Sequence, residues 1–409
     1  MGREHRTERT LSRRTFIGAA AAAGVAGAWP ASQALGRGLP DPLPRLRIPA
    51  ENRGIILFSI RDAVSQRNPT TSDLPSGFKE VFEYIAQIGY KQVEFAGYTQ
   101  NAAAEGGAGA NAWLSPTNIP TPAVNPAFLP WANTLRGWLD QYGLKANGTH
   151  AYIPNNINPA VTTTPLASAQ LDRFKRECEF AATLGMELYG TGNDVSGSRF
   201  KEDWKVATER WNTLGAVAKT YGLKLYTHNH DGVWNFILDR KPLDANGRPT
   251  RSSGVRMQDY GAHLLDADLV FYEIDIYWAH VAQHRFRSYT DADGVVQESI
   301  LDPAGWVAKH RHRVPAFHAK DGTRTADPPG TGSGYVFVPF GASGGDGVPP
   351  EAESGIDFTT FYDRIGRADH VSFWEQDNAP GNATTNPGQS LTFAAQSYTA
   401  MVALGAVGS

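Results

Sequence analysis

Hydrophobic and polar positions alternate in a regular order from Gly54 onward. Apolar runs of strand length are followed by amphipathic stretches of helix length, and this order predicts a parallel sheet built from βα units. Eight such runs are present, which is the number of strands in a closed barrel. We therefore predict an α/β protein with a (β/α)8 TIM barrel, whose strands are Ile55–Ser59, Gln92–Ala96, Ala146–His150, Glu187–Thr191, Lys224–His230, Val270–Asp275, Pro315–His318 and Val371–Glu375.

Short glycine-containing motifs mark four junctions between a helical stretch and the next strand. They are Ile88-Gly89-Tyr90-Lys91, Tyr142-Gly143-Leu144-Lys145, Leu184-Gly185-Met186-Glu187 and Tyr221-Gly222-Leu223-Lys224. Glycine just after a helix adopts the left-handed conformation at little cost, so the chain can turn directly into a strand. The predicted helices are Gly77–Ile88, Trp131–Tyr142, Ala169–Leu184, Asp203–Tyr221, Val255–Leu265, Pro303–His310, Phe358–Arg367 and Leu391–Leu404.

Three longer segments fall where the loops after barrel strands should lie: Thr99–Pro130, Asp231–Gly254 and Gly322–Gly355. Loops that follow the strands of a TIM barrel gather at its C-terminal face, where active sites are found. We expect these long βα-loop insertions to form the substrate cover.

The N-terminus resembles a twin-arginine signal peptide. Ser12-Arg13-Arg14-Thr15-Phe16-Ile17 precedes an Ala/Gly-rich stretch, and Ser32-Gln33-Ala34 offers small residues for cleavage. A short membrane anchor or a disordered tail is the alternative, although the apolar run is too short to span a bilayer comfortably. The predicted organisation is a signal peptide at 1–36, a linker at 37–51 and the barrel at 52–409.

This signal predicts export of the folded protein through the twin-arginine machinery, which would be its partner in transit. The mature protein is then expected to be periplasmic or secreted, with no stable membrane span after cleavage. The single cysteine, Cys178, agrees with this route, because the chain forms no internal disulfide and gains nothing from an oxidising compartment.

The composition is that of a soluble globular protein. The 409 residues carry a net charge of −3, with 41% hydrophobic and 19% charged residues. No long Lys/Arg run is present, which argues against nucleic acid as a partner, since phosphate neutralisation supplies most of that affinity. The sequence leaves the oligomeric state open, and a homo-oligomer is compatible with it.

Acidic residues and histidines end the predicted strands. They are Glu94, His150, His228, His230, Asp275, His318 and Glu375. Because strand C-termini converge at one mouth of a barrel, we expect these side chains to meet there. Imidazole and carboxylate groups together suit one divalent metal ion, with Mn or Zn preferred and Co, Mg or Fe also compatible.

The motifs around these residues resemble those of the xylose isomerase-like TIM barrels. The motifs are Tyr226-Thr227-His228-Asn229-His230-Asp231, Glu273-Ile274-Asp275-Ile276-Tyr277-Trp278, Phe317-His318-Ala319-Lys320-Asp321 and Trp374-Glu375-Gln376-Asp377. That superfamily includes sugar phosphate isomerases and epimerases, inosose dehydratases and, more distantly, endonuclease IV. The resemblance covers roughly Gly54 to Pro380.

The resemblance implies a metal held by four residues, one on each of strands five to eight. The matching positions are His228, Asp275, His318 and Glu375. The chain departs from the epimerase branch at His228, where those enzymes carry glutamate. This leaves open which of His228 and His230 is the ligand, because alternate residues of a strand face the same side. We take His228 as the ligand and His230 as a catalytic base, a substrate contact or a second ligand.

The remaining candidates each have a functional role and a structural alternative. Glu94 is a candidate general acid or base, or it pairs with Lys91. The resemblance makes His150 a contact for sugar hydroxyls, and a purely structural role is the alternative. Lys320 would stabilise an oxyanion or bind a carboxylate, and a solvated charge at the rim is the alternative. Trp278 would form a platform for a sugar face or belong to the core.

These residues predict a metal-dependent isomerase/epimerase, or a dehydratase or other lyase, acting on a small unphosphorylated sugar or keto-sugar through an enediolate. A metal bound to neighbouring carbonyl and hydroxyl oxygens would ease removal of a proton from carbon. Two other functions remain open: an endonuclease IV-like metallophosphodiesterase and a non-catalytic secreted carbohydrate-binding barrel.

Overall fold

The computed structural model describes residues 47–65, 73–98, 128–154, 166–325, 334–345, 355–366, 369–382 and 384–405. Its centre is a parallel barrel of β1 (Arg53–Ile56), β2 (Gln92–Phe95), β3 (Lys145–Thr149), β4 (Leu188–Thr191), β5 (Lys224–His228), β6 (Val270–Asp275), β7 (Ala316–Arg324) and β8 (Val371–Glu375). The strands pair in the order β3-β2-β1-β8-β7-β6-β5-β4. A parallel bridge between His150 and Gly190 joins the two end strands. The predicted (β/α)8 fold is confirmed.

Helices follow the strands close to the predicted positions. They are α1 (Phe78–Ile88), α2 (Phe128–Tyr142), α3 (Ser168–Leu184), α4 (Lys201–Thr220), α5 (Met257–Leu264), α6 (Pro303–His310), α7 (Phe358–Ile365) and α8 (Gln389–Gly405). Gly185 shows how the glycine junctions work: it has φ 84°, and its N–H donates to the Ala182 carbonyl at 3.0 Å. The helix therefore stops within one residue and the chain enters β4 directly.

The segments between β6 and α6 and after β7 contain structure that the hydrophobic pattern missed. A helix at Ile276–Arg285 begins directly after β6, and Asp275 caps it by accepting the Trp278 N–H at 2.8 Å. Strand β7 continues beyond the predicted end at His318 to Arg324, where it pairs antiparallel with Tyr335–Val338. The early end was wrong because Lys320 and Asp321 look like loop residues, yet both are buried in the ladder.

Two small antiparallel hairpins decorate the same side of the barrel. Arg240–Leu243 pairs with Pro249–Arg251 within the predicted insertion after β5, and Ser288–Thr290 pairs with Val296–Glu298. The buried guanidinium of Arg256 donates to the carbonyl oxygens of Trp234, Phe286 and Ser299. This one side chain therefore ties three loop segments to the barrel.

Apolar packing closes the N-terminal end of the barrel interior. A small cluster of buried residues fills it, consisting of Leu188, Tyr226, Ala316, Val371 and Phe373. A second, larger core lies between the sheet and the helices, and the single cysteine, Cys178, is buried there. The imidazoles and carboxylates that end the strands lie beyond this cluster, toward the C-terminal mouth.

The predicted signal peptide and residues 37–46 of the predicted linker lie outside the described residues. Export through the twin-arginine machinery and a periplasmic or secreted location therefore stay predictions. Among the described residues, no helix combines the length and the apolar composition that a transmembrane span requires.

Candidate metal centre and active site

Four side chains from four neighbouring strands meet at the barrel mouth. His228, Asp275, His318 and Glu375 each offer one ligand atom, and these atoms all lie within 4.8 Å of one another. His228 Nε2 is 3.6 Å from Asp275 Oδ2, and His318 Nδ1 is 2.7 Å from Glu375 Oε2. We call these four residues the outer set. They are the four positions at which the sequence predicted metal ligands.

Two further carboxylates, Glu94 and Glu273, lie one layer deeper in the barrel, and we call them the inner carboxylates. Glu273 Oε2 is 3.2 Å from His228 Nδ1 and 3.1 Å from His318 Nε2. Glu94 Oε2 is 2.7 Å from His318 Nε2. Each of the two imidazoles therefore contacts an outer carboxylate with one nitrogen and an inner carboxylate with the other.

The phenol of Tyr226 donates to Glu94 Oε1 within the same layer. The ring reaches that far because Gly148 and Gly190 on the neighbouring strands carry no side chain. A Cβ at Gly190 would collide with the Tyr226 ring and carbonyl, and one at Gly148 would lie 3.3 Å from Glu94 Oε1. The inner layer is thus packed around two glycines.

The electrostatics of the two layers differ. Burial alone would raise the pKa of Glu273, but the charge of His318 and contacts with three imidazoles hold that pKa well below its usual range. Burial raises the pKa of Asp275 to about 7, although nearby Lys320 opposes the shift. Asp275 Oδ2 is buried and has no hydrogen-bond partner among the described residues. Leaving a buried carboxylate oxygen without a hydrogen bond is costly, and a cation bound within the outer set would offset that cost.

The outer set fits a divalent metal ion. Two imidazole nitrogens and two carboxylate oxygens are donors of the type that Zn and Mn accept. In many metal sites, a carboxylate that contacts the second ring nitrogen orients each ligand histidine. The inner carboxylates contact the second nitrogens of His228 and His318 in the same way. A second group of donors, His150, His228, Glu273 and His318, also lies within 4.8 Å, but its carboxylate is already shared by three imidazoles. We infer that the outer set is the better metal site.

Lys320 is buried beside the outer set and is not a solvated rim charge. Its Nζ lies 3.1 Å from Glu375 Oε2, 3.0 Å from Asp377 Oδ1 and 3.6 Å from Asp275 Oδ2. Burial opposes the charged form, but Glu375 and Asp275 raise the Lys320 pKa above its ordinary value. The ammonium group therefore stays charged and faces the same carboxylates as the expected cation.

Glu94 lies deep in the barrel and not at the rim, where a general acid or base was expected. It is fully buried, it bonds to His318 and Tyr226, and it does not line the mouth cavity. It also forms no ion pair with Lys91 in the described residues. Burial and the neighbouring Glu273 raise its pKa. Glu94 thus lies beneath the imidazoles and contacts His318, and its predicted role as general acid or base stays a prediction.

A cavity of about 1010 Å³ opens over the outer set. His150, His228, His230, Lys320 and Glu375 line it on the side of the metal centre. The rest of its lining includes Tyr98, Tyr152, Arg173, Glu177, Asp194, Trp211 and Asp377. Two of the predicted metal ligands, His228 and Glu375, are therefore exposed to a cavity that can hold a small molecule.

The other predicted residues divide between the cavity wall and its support. His150 lines the cavity while its Nε2 contacts Glu273 Oε2 at 2.8 Å. The His230 ring lies 5.4 Å from the His228 ring, and burial followed by the charge of Lys320 lowers its pKa. The Trp278 ring packs 5.3 Å from His230 and 5.4 Å from Lys320 Nζ, but it is not among the cavity-lining residues. Trp278 thus supports two cavity residues from behind.

Three acidic residues at this site were missed by sequence reasoning: Glu273, Asp377 and Asp194. A signal existed for Glu273, which precedes Asp275 by two positions and so shares its face of β6. Asp377 likewise follows Glu375 by two positions. Asp194 comes after β4, in a stretch with no histidine to draw attention to it.

Comparison with known proteins identifies a family match and several similar folds. A family model described as a xylose isomerase-like TIM barrel matches residues 82–374. A sugar phosphate isomerase/epimerase from Parabacteroides distasonis is 16% identical with a TM-score of 0.53, covering 85% of this chain and 93% of that one. A second structure from that organism with the same description is also 16% identical, has a TM-score of 0.50 and covers 84% and 96%.

A D-psicose 3-epimerase from Clostridium cellulolyticum is 13% identical with a TM-score of 0.44, covering 86% of this chain and 97% of that chain. At 16% identity, the likeness to the two Parabacteroides distasonis structures shows the shared fold. No curated protein sequence matches the chain significantly.

Proposed function

The chain belongs to the xylose isomerase-like TIM barrel family, and on that premise we propose that it is a metal-dependent isomerase, epimerase or lyase acting on an unphosphorylated sugar or keto-sugar. The observation that carries the proposal is the outer set, whose four donor atoms lie within 4.8 Å of one another at the mouth cavity. The similar fold of a sugar phosphate isomerase/epimerase supports the same class of chemistry.

His228, Asp275, His318 and Glu375 would hold the metal, with Mn or Zn suited to this mixture of nitrogen and oxygen donors. When bound, a divalent cation supplies Lewis-acid polarisation of neighbouring carbonyl and hydroxyl oxygens. The inner carboxylates fix the two ligand imidazoles through their opposite nitrogens, so the ligand atoms are held in place before substrate arrives.

The proton transfers fall to residues that reach the cavity. His230 lines the cavity beside His228 and is the best-placed base for a proton on carbon next to a carbonyl group. Lys320, held by Glu375 and Asp377, places a fixed positive charge where negative charge develops on a substrate oxygen. The carbon to which the proton returns then decides between isomerisation and epimerisation, and loss of a neighbouring substituent gives elimination.

An unphosphorylated substrate is favoured by the charges in the cavity. Its two cationic side chains are Lys320 and Arg173, among the described residues. Lys320 contacts three carboxylates, while Arg173 stacks on the Tyr152 ring at 3.5 Å and pairs with Glu177. Each of these positive charges therefore already has a carboxylate beside it, which disfavours an additional phosphate group. A periplasmic or secreted location, proposed from the twin-arginine motif, agrees because phosphorylated sugars are chiefly cytoplasmic.

A metallophosphodiesterase of the endonuclease IV kind remains a second candidate because of one observation. The donor group His150, His228, Glu273 and His318 overlaps the outer set and would allow more than one metal ion. The metal stoichiometry separates the two functions, since the proposed sugar enzyme needs one ion per chain.

The proposal is tested by metal content and solvent exchange. Elemental analysis of the wild type should give about one equivalent of Mn or Zn, and Asp275→Ala and Glu375→Ala should both lose it. The metal-loaded wild type should incorporate deuterium from D2O into a keto sugar from a panel of D-fructose, D-tagatose and D-psicose. The exposed Asp268→Asn is the matched control and should behave as wild type. A protein that takes up no metal, or that exchanges no proton in any of the sugars, would contradict the proposal.

A further inference from the structure

Asp194 is a cavity-lining residue that none of the roles above uses. It follows β4, and its Oδ1 accepts the backbone N–H of His230 at 3.1 Å. The preceding Asn193 carbonyl accepts the Thr227 hydroxyl at 3.0 Å and the His228 N–H at 3.4 Å. This loop is therefore fastened along the C-terminal part of β5, next to the outer set.

The charge environment of Asp194 differs from that of the other cavity carboxyl groups. Glu375 and Asp377 contact Lys320, and Glu177 contacts Arg173. Asp194 has no cationic side chain within ion-pair distance in the part of the chain that the structure describes. It is the one cavity-lining carboxyl group there without such a partner. A carboxyl group in this position faces the substrate space with nothing to neutralise it.

The surroundings favour the neutral carboxylic acid. Burial raises the pKa of Asp194 to about 8, the His230 N–H opposes the shift, and the charge of Asp231 adds to it. A neutral carboxyl group can donate a hydrogen bond and a proton, whereas a carboxylate only accepts. General acids of enzymes are commonly tuned to a pKa near the working pH in this way.

We propose that Asp194 is a further catalytic residue, a general acid that donates its proton to a substrate oxygen in the cavity. The inference rests on the proposed function, because it assigns a role within that reaction. The base removes a proton from the carbon beside the carbonyl group, and that electron pair forms the carbon–carbon double bond. The carbonyl π pair moves to oxygen, which takes the proton of Asp194, so the product is an enediol and Asp194 becomes a carboxylate. In isomerisation the other hydroxyl of the enediol gives its proton to Asp194 as its carbonyl group forms, and the former carbonyl carbon takes the proton held by the base. In epimerisation the first oxygen returns its proton to Asp194, the original carbon takes a proton from water on its opposite face, and the base gives its proton to water.

Two variants separate proton donation from a structural role. Asp194→Asn keeps an oxygen that can accept the His230 N–H but carries no acidic proton, and Asp194→Ala removes both. We expect both variants to lose about 100-fold in kcat for deuterium exchange into the active keto sugar, with KM nearly unchanged. A purely structural role predicts instead that Asp194→Asn works at the wild-type rate, and that result would overturn the proposal.

The pH profile gives a second readout. Wild-type kcat should fall as the pH rises through about 8 while Asp194 loses its proton, and the residual activity of Asp194→Asn should lack this alkaline limb. Asp231 is the charged side chain acting on Asp194, so Asp231→Asn should move the limb to lower pH without removing it. An alkaline limb that persists unchanged in Asp194→Asn would assign it to another group and contradict the proposal.

Chemical labelling tests Asp194 without any turnover. A water-soluble carbodiimide with an amine reacts with protonated carboxyl groups, and peptide mass spectrometry locates the product. At pH 7 we expect Asp194 to be labelled faster than the exposed Asp268. Addition of 100 mM D-fructose, about a hundred times a typical upper KM, should slow the labelling of Asp194 at least about fivefold. Labelling no faster than at Asp268 would overturn the proposal whatever the exchange assay shows. A different result is that Asp194 is labelled fast and protected by sugar, although the wild type exchanges no proton. That result would contradict the proposed reaction and support contact between Asp194 and the sugar.

Discussion

Glu273 and Asp275 lie two residues apart on β6, point into the same barrel and are both fully buried, yet their environments are opposite. Glu273 Oε2 has three imidazoles around it, at 2.8 Å, 3.2 Å and 3.1 Å. Among the described residues, each of the two keeps one buried oxygen without a hydrogen-bond partner, but the Oδ2 atom of Asp275 has its nearest positive groups only at 3.6 Å, on His228 and Lys320. The pKa of Asp275 is raised to about 7 while that of Glu273 is lowered. The charge of Glu273 is balanced by close imidazoles, whereas Asp275 has only more distant positive groups, and a bound cation would supply a close one.

This difference shows how a preformed metal site can exist in a folded protein. The inner carboxylates hold His228 and His318 by one ring nitrogen each, which leaves the other nitrogen of each ring toward the mouth. The rings are thus positioned by the inner carboxylates. A cation that binds among the outer donors would meet ligand atoms already in place, and its binding would add to the stability of the folded state.

Removing His318 should have the largest effect on metal binding and stability, because its ring contacts carboxylates of both layers. His318→Ala leaves Glu94, Glu273 and Glu375 without their shared imidazole. We expect metal binding to be lost and the free energy of unfolding to fall by about 3–5 kcal/mol, as when one partner of a buried ion pair is removed. Urea denaturation and elemental analysis check this. A variant of wild-type stability would mean that the imidazole does not bridge the layers.

Glu273→Gln should damage the inner layer with a smaller effect. A neutral amide keeps the size of the side chain but loses the charge that orients three imidazoles. We expect a loss of about 2 kcal/mol in unfolding free energy, the usual range for a hydrogen bond to a charged group. The metal affinity should fall about 10- to 100-fold. Unchanged affinity in a metal titration would show that Glu273 does not position the ligands.

Glu94→Gln tests the position assigned to Glu94 beneath His318. Loss of its charge should weaken metal binding about 10-fold, and with saturating metal most of the exchange activity should return. If Glu94 were instead the general base, exchange would stay about 100-fold or more below wild type at any metal concentration. Measuring exchange against metal concentration therefore distinguishes a positioning residue from a catalytic one.

Asp275→Asn should have the smallest effect on stability, and in the opposite direction. Because folding raises the Asp275 pKa from 3.8 to about 7, the wild type without metal loses stability as the pH rises through this window. The Asn variant lacks this loss, so above pH 7 we expect it to be more stable than metal-free wild type by about 1 kcal/mol. Thermal unfolding with a chelator at pH 5 and pH 8 measures it. An advantage that shrinks as the pH rises would contradict the raised pKa.

The barrel and the residues of its outer set could be predicted from the sequence for a simple physical reason. Parallel strands buried on both faces form apolar runs, so a His or an acid that ends such a run stands out, as Asp275 and His318 do. Parallel strand ends converge, which brings residues 228 and 375 together although they are far apart in the chain. The hydrophobic pattern thus carries both the strand count and the side of the barrel on which the chemistry lies.

The depth at which each side chain lies within the barrel could not be predicted from the sequence in the same way. Alternation says that Glu94 and Glu273 face inward, but it does not say how strand stagger aligns them beneath the imidazoles of other strands. The helix at Ile276–Arg285 was missed because β6 runs into it without a turn, Asp275 serving as strand end and helix cap at once. Asp194 lies in a loop, whose course depends on tertiary contacts such as the one to the His230 backbone.

The two glycines beside Tyr226 have a consequence for how the sequence of this barrel can vary. Position 190 has no room for any side chain while Tyr226 is present, and position 148 leaves Glu94 little room. A smaller residue at position 226 would remove the collision with the ring but not the one with the backbone carbonyl of that residue, so position 190 should stay glycine in relatives. Glu94 would lose the phenol in such a relative, and positions 94, 148 and 226 should therefore change as a group over evolution.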